Sequence, residues 1–316
     1  MATTSPANYG VSNVYTALSE EWRARMAGQS MAFEAFTRIH TDEVAQIRRW
    51  NDLPIGKMPT RTDQTANFQQ QLIGATGVNT FDPLNKGLTV RINNFDVKHN
   101  PGKVQEVLDQ LQSSVVSTMN DLVFSKLKAG FTDVYDAGAG GNEALIGTGH
   151  RYANGYDGVL DETQSNKLEA ALSYDGLSSA IQLMQQFKDQ SGTPYGLGYG
   201  NLVLVVPPGL YSTARNLVGS SEIIIGGTAA KMGASNPYGM GNIQVVSSAF
   251  LTDPSDWFLC ETSASGSTPV NFWTSGLPQI KVSEDDASLQ TVITASAYMN
   301  SWIDGPAAGI VGSLVA

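Results

Sequence analysis

Between Gly102 and Gly130 the chain carries one unbroken amphipathic stripe. Val104, Val107, Leu108, Leu111, Val115, Met119, Leu122, Val123 and Leu127 recur mostly at steps of three and four, and no proline falls between them. Such steps line one face of an α-helix. At 1.5 Å per residue the rod would be roughly 40 Å long, against a mean helix of about 11–12 residues. A rod of that length acts as a backbone across a flat or elongated domain, and the rest of the chain has to be arranged along it.

Upstream, residues 1–18 are small and polar. From Glu20 to Trp50 the pattern reads as an interrupted helix, with Phe33, Phe36, Ile39 and Ile47 able to share a face, Arg48 and Arg49 near its end, and Pro54 and Gly56 as its stop. Residues 57–95 change character and become rich in Gln, Thr and Asn. FDPLNKG, with Pro83 and Gly87, reads as a turn, and LTVRINNF (88–95) alternates as a strand does. This stretch has too few large apolar residues for a core of its own, so it is expected to lie on something else as a long arm or hairpin.

Downstream of the rod, 164–189 predicts a second helix with a break near Asp175-Gly176 and an apolar side of Leu168, Leu172, Ile181, Met184 and Phe187. NLVLVV (201–206) predicts a strand buried on both faces, and PPGLYSTARNLV (207–218) a short helix opened by prolines. NIQVVSS (242–248), DWFLCE (256–261), VNFW (270–273), LPQIKVS (277–283) and LQTVITASAYMN (289–300) predict strands. The class is α+β, with no internal repeat.

Bulk properties narrow the function. The 316 residues are enough for about two domains, or one elongated body with a subdomain. Only 15% of residues are charged, against about 25% in typical soluble domains, which suits a surface largely covered by other protein. The net charge of −10 argues against a protein that grips nucleic acid with displaced counterions; it leaves open a container with nucleic acid inside, because a wall that repels the polymer lets it pack and leave. The single cysteine, Cys260, lies in an apolar run and reads as an inert buried thiol. MATTSPANYG has neither the basic start nor the apolar core of a signal peptide, and no stretch approaches the roughly 18 apolar residues of a membrane span.

DVYDAGAGGNEAL (133–145) looks like the opening of a cofactor site, such as an S-adenosylmethionine-dependent methyltransferase turn at Gly138–Gly141. Such a turn sits between a strand and a helix whose N-terminus receives the ligand. Here a long helix precedes it, only about four residues are left for a strand, and the helix candidate NEALI is cut by Gly147 and Gly149. The run GLGYG (196–200) precedes its strand, the wrong order. The three histidines, His40, His99 and His150, are scattered; His150 near Asp157 is the best candidate base, with ordinary loop hydrogen bonding as the plainer reading. Asp161-Glu162 and Asp285-Asp286 read as solvated turns. No cofactor and no metal site is expected, and no catalytic residue is assigned.

The order of parts resembles a known family. A helical arm, a polar extension, a long spine helix and an αβ body are similar to the major capsid protein of tailed bacteriophages, with the Hong Kong ninety-seven type fold. The second half is closest to the phage Mu-like major head subunit. The residues that carry this are Gly149-His150, the segment ending KDQSGTP, then LVLVVPPGLYSTARNLV and NPYGMGNIQVVSSAFLTDPSDWFLC. Tyr238 stands where that family leads one to expect Trp, and no proline follows strand 242–247.

The resemblance implies an N-terminal arm (1–56), an extended loop over a neighbour (57–95), a peripheral domain with the spine helix (96–180), an axial domain around a pentamer or hexamer axis (181–280), and a return to the peripheral domain (281–316). It implies a structural, non-catalytic protein that assembles with itself into hexamers and pentamers of an icosahedral shell enclosing double-stranded DNA, without sequence-specific binding. Portal, scaffolding and decoration proteins are the other implied partners, the scaffold being separate or absent, and assembly would take place in the bacterial host cytoplasm. Candidate inter-subunit residues are Arg48, Arg49, Arg61, Phe68, Leu72 and Phe81. The nearest alternative is an encapsulin-like nanocompartment shell, which has the same fold; from a different class, the methyltransferase.

Overall fold

The computed structural model describes residues 19–28, 31–41, 47–52, 75–136, 141–152, 161–220, 222–223, 234–236, 238, 243–262, 270–285, 288–303 and 309–315. The spine helix is present as Pro101–Ala129. Proline opens it, where the missing N–H costs nothing, and Lys126 and Lys128 in the last turn complement the negative end of its dipole.

Two five-stranded sheets flank this rod. In the first, the long strand Gln290–Ile303 pairs with Leu84–Asn93 on one side and with Gln279–Asp285 and Val270–Thr274 on the other, and Arg38–His40 adds a parallel edge to Val270–Thr274. Alternate residues of the long strand, Thr291, Ile293, Ala295, Ala297 and Met299, are buried toward the rod. The opposite face carries Thr89, Thr294, Ser296 and Tyr298, and the Thr89 and Thr294 hydroxyls meet at 3.0 Å. One face dry and one wet is what a half-covered antiparallel sheet requires.

The second sheet runs in the order Ile243–Ser247, Leu202–Val206, Trp257–Glu261, Ile310–Ser313, Lys167–Leu168. Its three central strands are buried at every position, so they show no alternation. The thiol of Cys260 lies here, its pKa pushed up to about 12 by burial alone.

The spine helix joins two cores. Its first half supplies Val104, Leu108 and Leu111 to a small cluster with Trp22, Met26, Ile92, Ile293 and Ala295. Its second half supplies Met119, Val123, Phe124 and Leu127 to the main cluster, which holds the second sheet. The helix over 19–27 is therefore packed on its own subunit. Trp22 is fully buried and donates Nε1–H to Pro278 O at 2.6 Å. Above it, Glu21 accepts from Gln105 Nε2 at 3.0 Å and pairs with Arg25, whose guanidinium also meets Asp109.

Those contacts make this contact zone acid-sensitive. The hydrogen bond from Gln105, and then the one from Arg25, hold the Glu21 carboxyl below its ordinary pKa. A depressed carboxyl pKa adds stability that is full above the unfolded-chain value and is lost as pH falls through the folded-chain value. Amide exchange over 19–27, corrected for the intrinsic rate, should therefore quicken on acidification while 115–127 stays protected. Equal protection at neutral and acidic pH would contradict this.

Several sequence expectations are corrected. Glu20–Trp50 is not one interrupted helix: after residue 27 come a 3₁₀ turn at Ala32–Ala35 and strands at Arg38–His40 and Ile47–Asp52. Phe33 and Phe36 are buried as expected, but Ile39 is exposed; it stands on Arg38–His40, the edge strand of the first sheet, and not on a helix face shared with them. The strand expected near residue 90 pairs with the one expected near 290 through ten registered pairs, but it begins at Leu84, so the FDPLNKG turn is confined to Asp82-Pro83 and Leu84–Asn93 belongs to the body and not to an extended loop reaching residue 95. The 164–189 stretch is a helix only over Tyr174–Gln186. Ser173 Oγ caps it by accepting from Gly176 N at 3.1 Å, so the expected break is its first turn. Asp285, read as a solvated turn, pairs with Arg91 at 3.2 Å. Pro54 and Gly56 lie outside the described residues.

Candidate assembly surface

Nothing in the described residues forms a catalytic constellation. The glycine run 138–141 joins two antiparallel strands, Val134–Asp136 and Asn142–Ala144. A cofactor turn needs a helix N-terminus after it to receive the ligand, and here NEA is a strand, so the methyltransferase reading loses its geometry. Among the described residues no three His, Cys, Asp or Glu side chains cluster as metal ligands, and no helix is long and apolar enough to cross a membrane.

His150 is not a loop base but is buried in a strand, His150–Tyr152. Its Nδ1 lies 2.8 Å from Glu143 Oε2 and its Nε2 2.9 Å from Asn166 Oδ1. Asn166, fully buried, donates Nδ2–H to Leu145 O at 2.7 Å and Ile310 O at 2.9 Å, and Oδ1 also accepts from Gly147 N at 2.9 Å. All these groups are spent on holding segments together. Asp157 lies outside the described residues.

What the subunit does present is an antiparallel pair, Ile47–Asp52 with Ala75–Phe81, which forms a two-stranded sheet separate from the two main ones. A two-stranded ribbon has little apolar area of its own and is marginal when isolated. At its base the Phe81 ring stacks on Trp302 at 5.3 Å, and His40 stacks on Trp302 at 5.3 Å. Asn300 Nδ2 donates to Asp82 O at 2.7 Å beside them. The ribbon is thus fastened to the body at Phe81–Asp82.

The candidate contact residues fall as follows. Arg48 and Arg49 stand in the ribbon opposite Thr80 and Asn79. Arg61, Phe68 and Leu72 lie outside the described residues. Phe81 already has a partner within its own chain, Trp302. Sequence reasoning missed Trp302, whose place in an alternating strand gave no sign of a stacking role, and Asn166, a lone polar residue in a short segment.

With this geometry in view, comparison with known proteins is decisive at the level of family. The phage capsid protein family matches residues 84–310, well over half of the chain, and the chain belongs to that family. It is the major capsid protein type, a structural subunit of an icosahedral shell in the virion, and not an enzyme. No curated protein matches it.

Solved structures give the same fold. The bacteriophage JBD30 capsid is 15% identical at TM-score 0.54, over 79% of this chain and 100% of that one. The mature capsid of bacteriophage PhiM1 is 9% identical at TM-score 0.55, over 91% and 87%. A virus-like particle from Pyrococcus furiosus is 9% identical at TM-score 0.53, over 95% and 99%. At such identities the likeness is one of fold, the Hong Kong ninety-seven type α+β capsid fold.

Proposed function

We propose that this capsid protein assembles as hexamers and pentamers around double-stranded DNA, with the ribbon of Ile47–Asp52 and Ala75–Phe81 lying over a neighbouring subunit. The observation that carries this is the ribbon itself: it is fastened at one end through Phe81 and Trp302, and among the described residues its two strands pair with each other and with no other strand. A two-stranded ribbon is marginal by itself, and covering a neighbour would add apolar burial at about 25 cal/mol per Å². A contact on the order of 1,000 Å² falls near the scale of standard interfaces.

In this reading residues 96–180 and 281–316 serve the peripheral domain and 181–280 the axial domain. The excess of acid, net −10, supports a lining from which packaged DNA can leave. Portal, scaffolding and decoration proteins would join the shell during assembly in the host cytoplasm.

The test separates a genome container from an enzyme-storing nanocompartment. Particles from producing cells should protect double-stranded DNA from nuclease and release it on denaturation. Particles that hold only a cargo protein would overturn the DNA reading in favour of the encapsulin-like one.

A further inference from the structure

Two short hairpins lie outside the main sheets. Val134–Asp136 pairs with Asn142–Ala144, and His150–Tyr152 pairs with Glu162–Gln164, each as a two-stranded sheet among the described residues. Such pairs are marginal alone. One carboxylate ties the two together. Glu143 of the first hairpin places Oε2 at 2.8 Å from His150 Nδ1, and its Oε1 accepts from Arg151 N at 3.2 Å, both in the second hairpin. Little water reaches this contact: the His150 side chain is 5% exposed and that of Glu143 10%.

The surrounding hydrogen bonds count the protons. Asn166 donates Nδ2–H to Leu145 O and to Ile310 O, while its Oδ1 accepts from Gly147 N. Those three partners fix which end of the amide faces the ring. The atom 2.9 Å from His150 Nε2 is therefore an acceptor, and Nε2 carries a hydrogen. Nδ1 faces a carboxylate oxygen, so a second hydrogen has to lie between Nδ1 and Glu143 Oε2. Without it, two lone pairs would meet where water cannot separate them. Histidine is a stronger base than a carboxylate, and Glu143 Oε1 already acts as an acceptor, so this hydrogen belongs to the ring.

The other groups around the ring do not replace Glu143. Phe187, at the end of the helix Tyr174–Gln186, meets the imidazole edge-on at 5.4 Å. The Lys188 ammonium beside it sits 4.5 Å over the Tyr152 ring. Lys167, next to Asn166, pairs with Glu169 at 3.3 Å. Arg151 and Glu162 are exposed.

We infer that His150 is a buried imidazolium, and that its proton is a clasp between the two hairpins, closed while the proton is held and open once it is lost. The clasp belongs to the subunit and does not depend on assembly. At a pH where a solvated histidine is neutral, the closed form binds one proton more than the open form, so raising the pH opens it. Loss of the proton leaves a buried carboxylate without its cation, which is strongly unfavourable. Residues 142–152 then part from each other while the two main sheets stay folded.

Glu143→Gln separates the proton from the contact. Its amide can donate to a bare Nδ1 and still accept from Arg151 N, so the geometry survives with no proton to lose. Amide exchange of the full-length subunit, corrected for the intrinsic rate, is followed from about pH 6 to about pH 9, a range that spans the titration of an ordinary histidine. In the parent, protection over 142–152 should fall roughly tenfold or more relative to 115–127, because a buried pair has lost one of its charges. In Glu143→Gln it should hold across the range. Nitrogen NMR at about pH 7.5, where a solvated histidine is mostly neutral, should show hydrogens on both ring nitrogens of His150 in the parent and on Nε2 alone in the variant. A bare Nδ1 in the parent overturns the inference. Constant protection of 142–152 in the parent overturns it too, as does a pH response that persists in Glu143→Gln. If the variant fails to fold, the two measurements on the parent decide.

Discussion

Asn166→Ala is expected to lower the unfolding free energy of the free subunit by about 2–4 kcal/mol, one of the largest effects available to a single polar side chain here. The reason is the number of buried groups that would lose their partner at once. Asn166 has no exposed surface, and it serves Leu145 O, Ile310 O, Gly147 N and His150 Nε2. Its own backbone N–H reaches Gly147 O at 3.1 Å and its carbonyl accepts from Gly312 N at 3.1 Å. One residue therefore stitches the 143–150 segment to the C-terminal strand of the second sheet. Asn166→Asp keeps the acceptor oxygen and removes the two amide donors, so it too should be destabilising. Equilibrium denaturation checks both, and a loss under about 1 kcal/mol for alanine would contradict the role given to Asn166.

Trp22→Ala should cost roughly 3–5 kcal/mol, the range for emptying a large aromatic site in a core. Trp22 is the largest side chain in the small cluster that pins residues 19–27 to the spine helix and the first sheet, and its indole N–H also satisfies Pro278 O. With only eight fully assigned members, that cluster has little left to close the cavity. The variant should show early proteolytic release of the N-terminal segment, ahead of global unfolding. A variant with the parent's denaturation midpoint and the parent's proteolysis pattern would show that residues 19–27 are not integral to the subunit.

Strong periodicity made much of this fold legible in the sequence. The rod at Pro101–Ala129 was legible because one stripe feeds both cores. Strands Leu202–Val206 and Trp257–Glu261 were legible because both their faces are buried. The failures occur where short strands find distant partners. Among the described residues Arg38–His40 pairs with Val270–Thr274 alone, and Lys167–Leu168 with Ile310–Ser313 alone, distant partners that no local pattern announces. Asn142–Ala144 looked like a helix start because Asn, Glu and Ala suit one, yet pairing with Val134–Asp136 decides otherwise.

The candidate surface was partly legible for the same reason. A Gln/Thr/Asn-rich stretch with few large apolar residues signals a segment that cannot make its own core, and the ribbon begins and ends near it. Its boundary was misplaced because Leu84–Gly87 has no alternation that differs from a turn, and only Ser296–Met299 opposite reveals it as a strand.

Cryo-electron microscopy of the purified full-length chain tests the central claim most directly. The expected result is closed icosahedral shells in which density for residues 47–81 leaves its own subunit at Phe81 and crosses onto the next. A compact soluble monomer, with that ribbon folded back on its own body and no higher assembly at any concentration, would contradict the account.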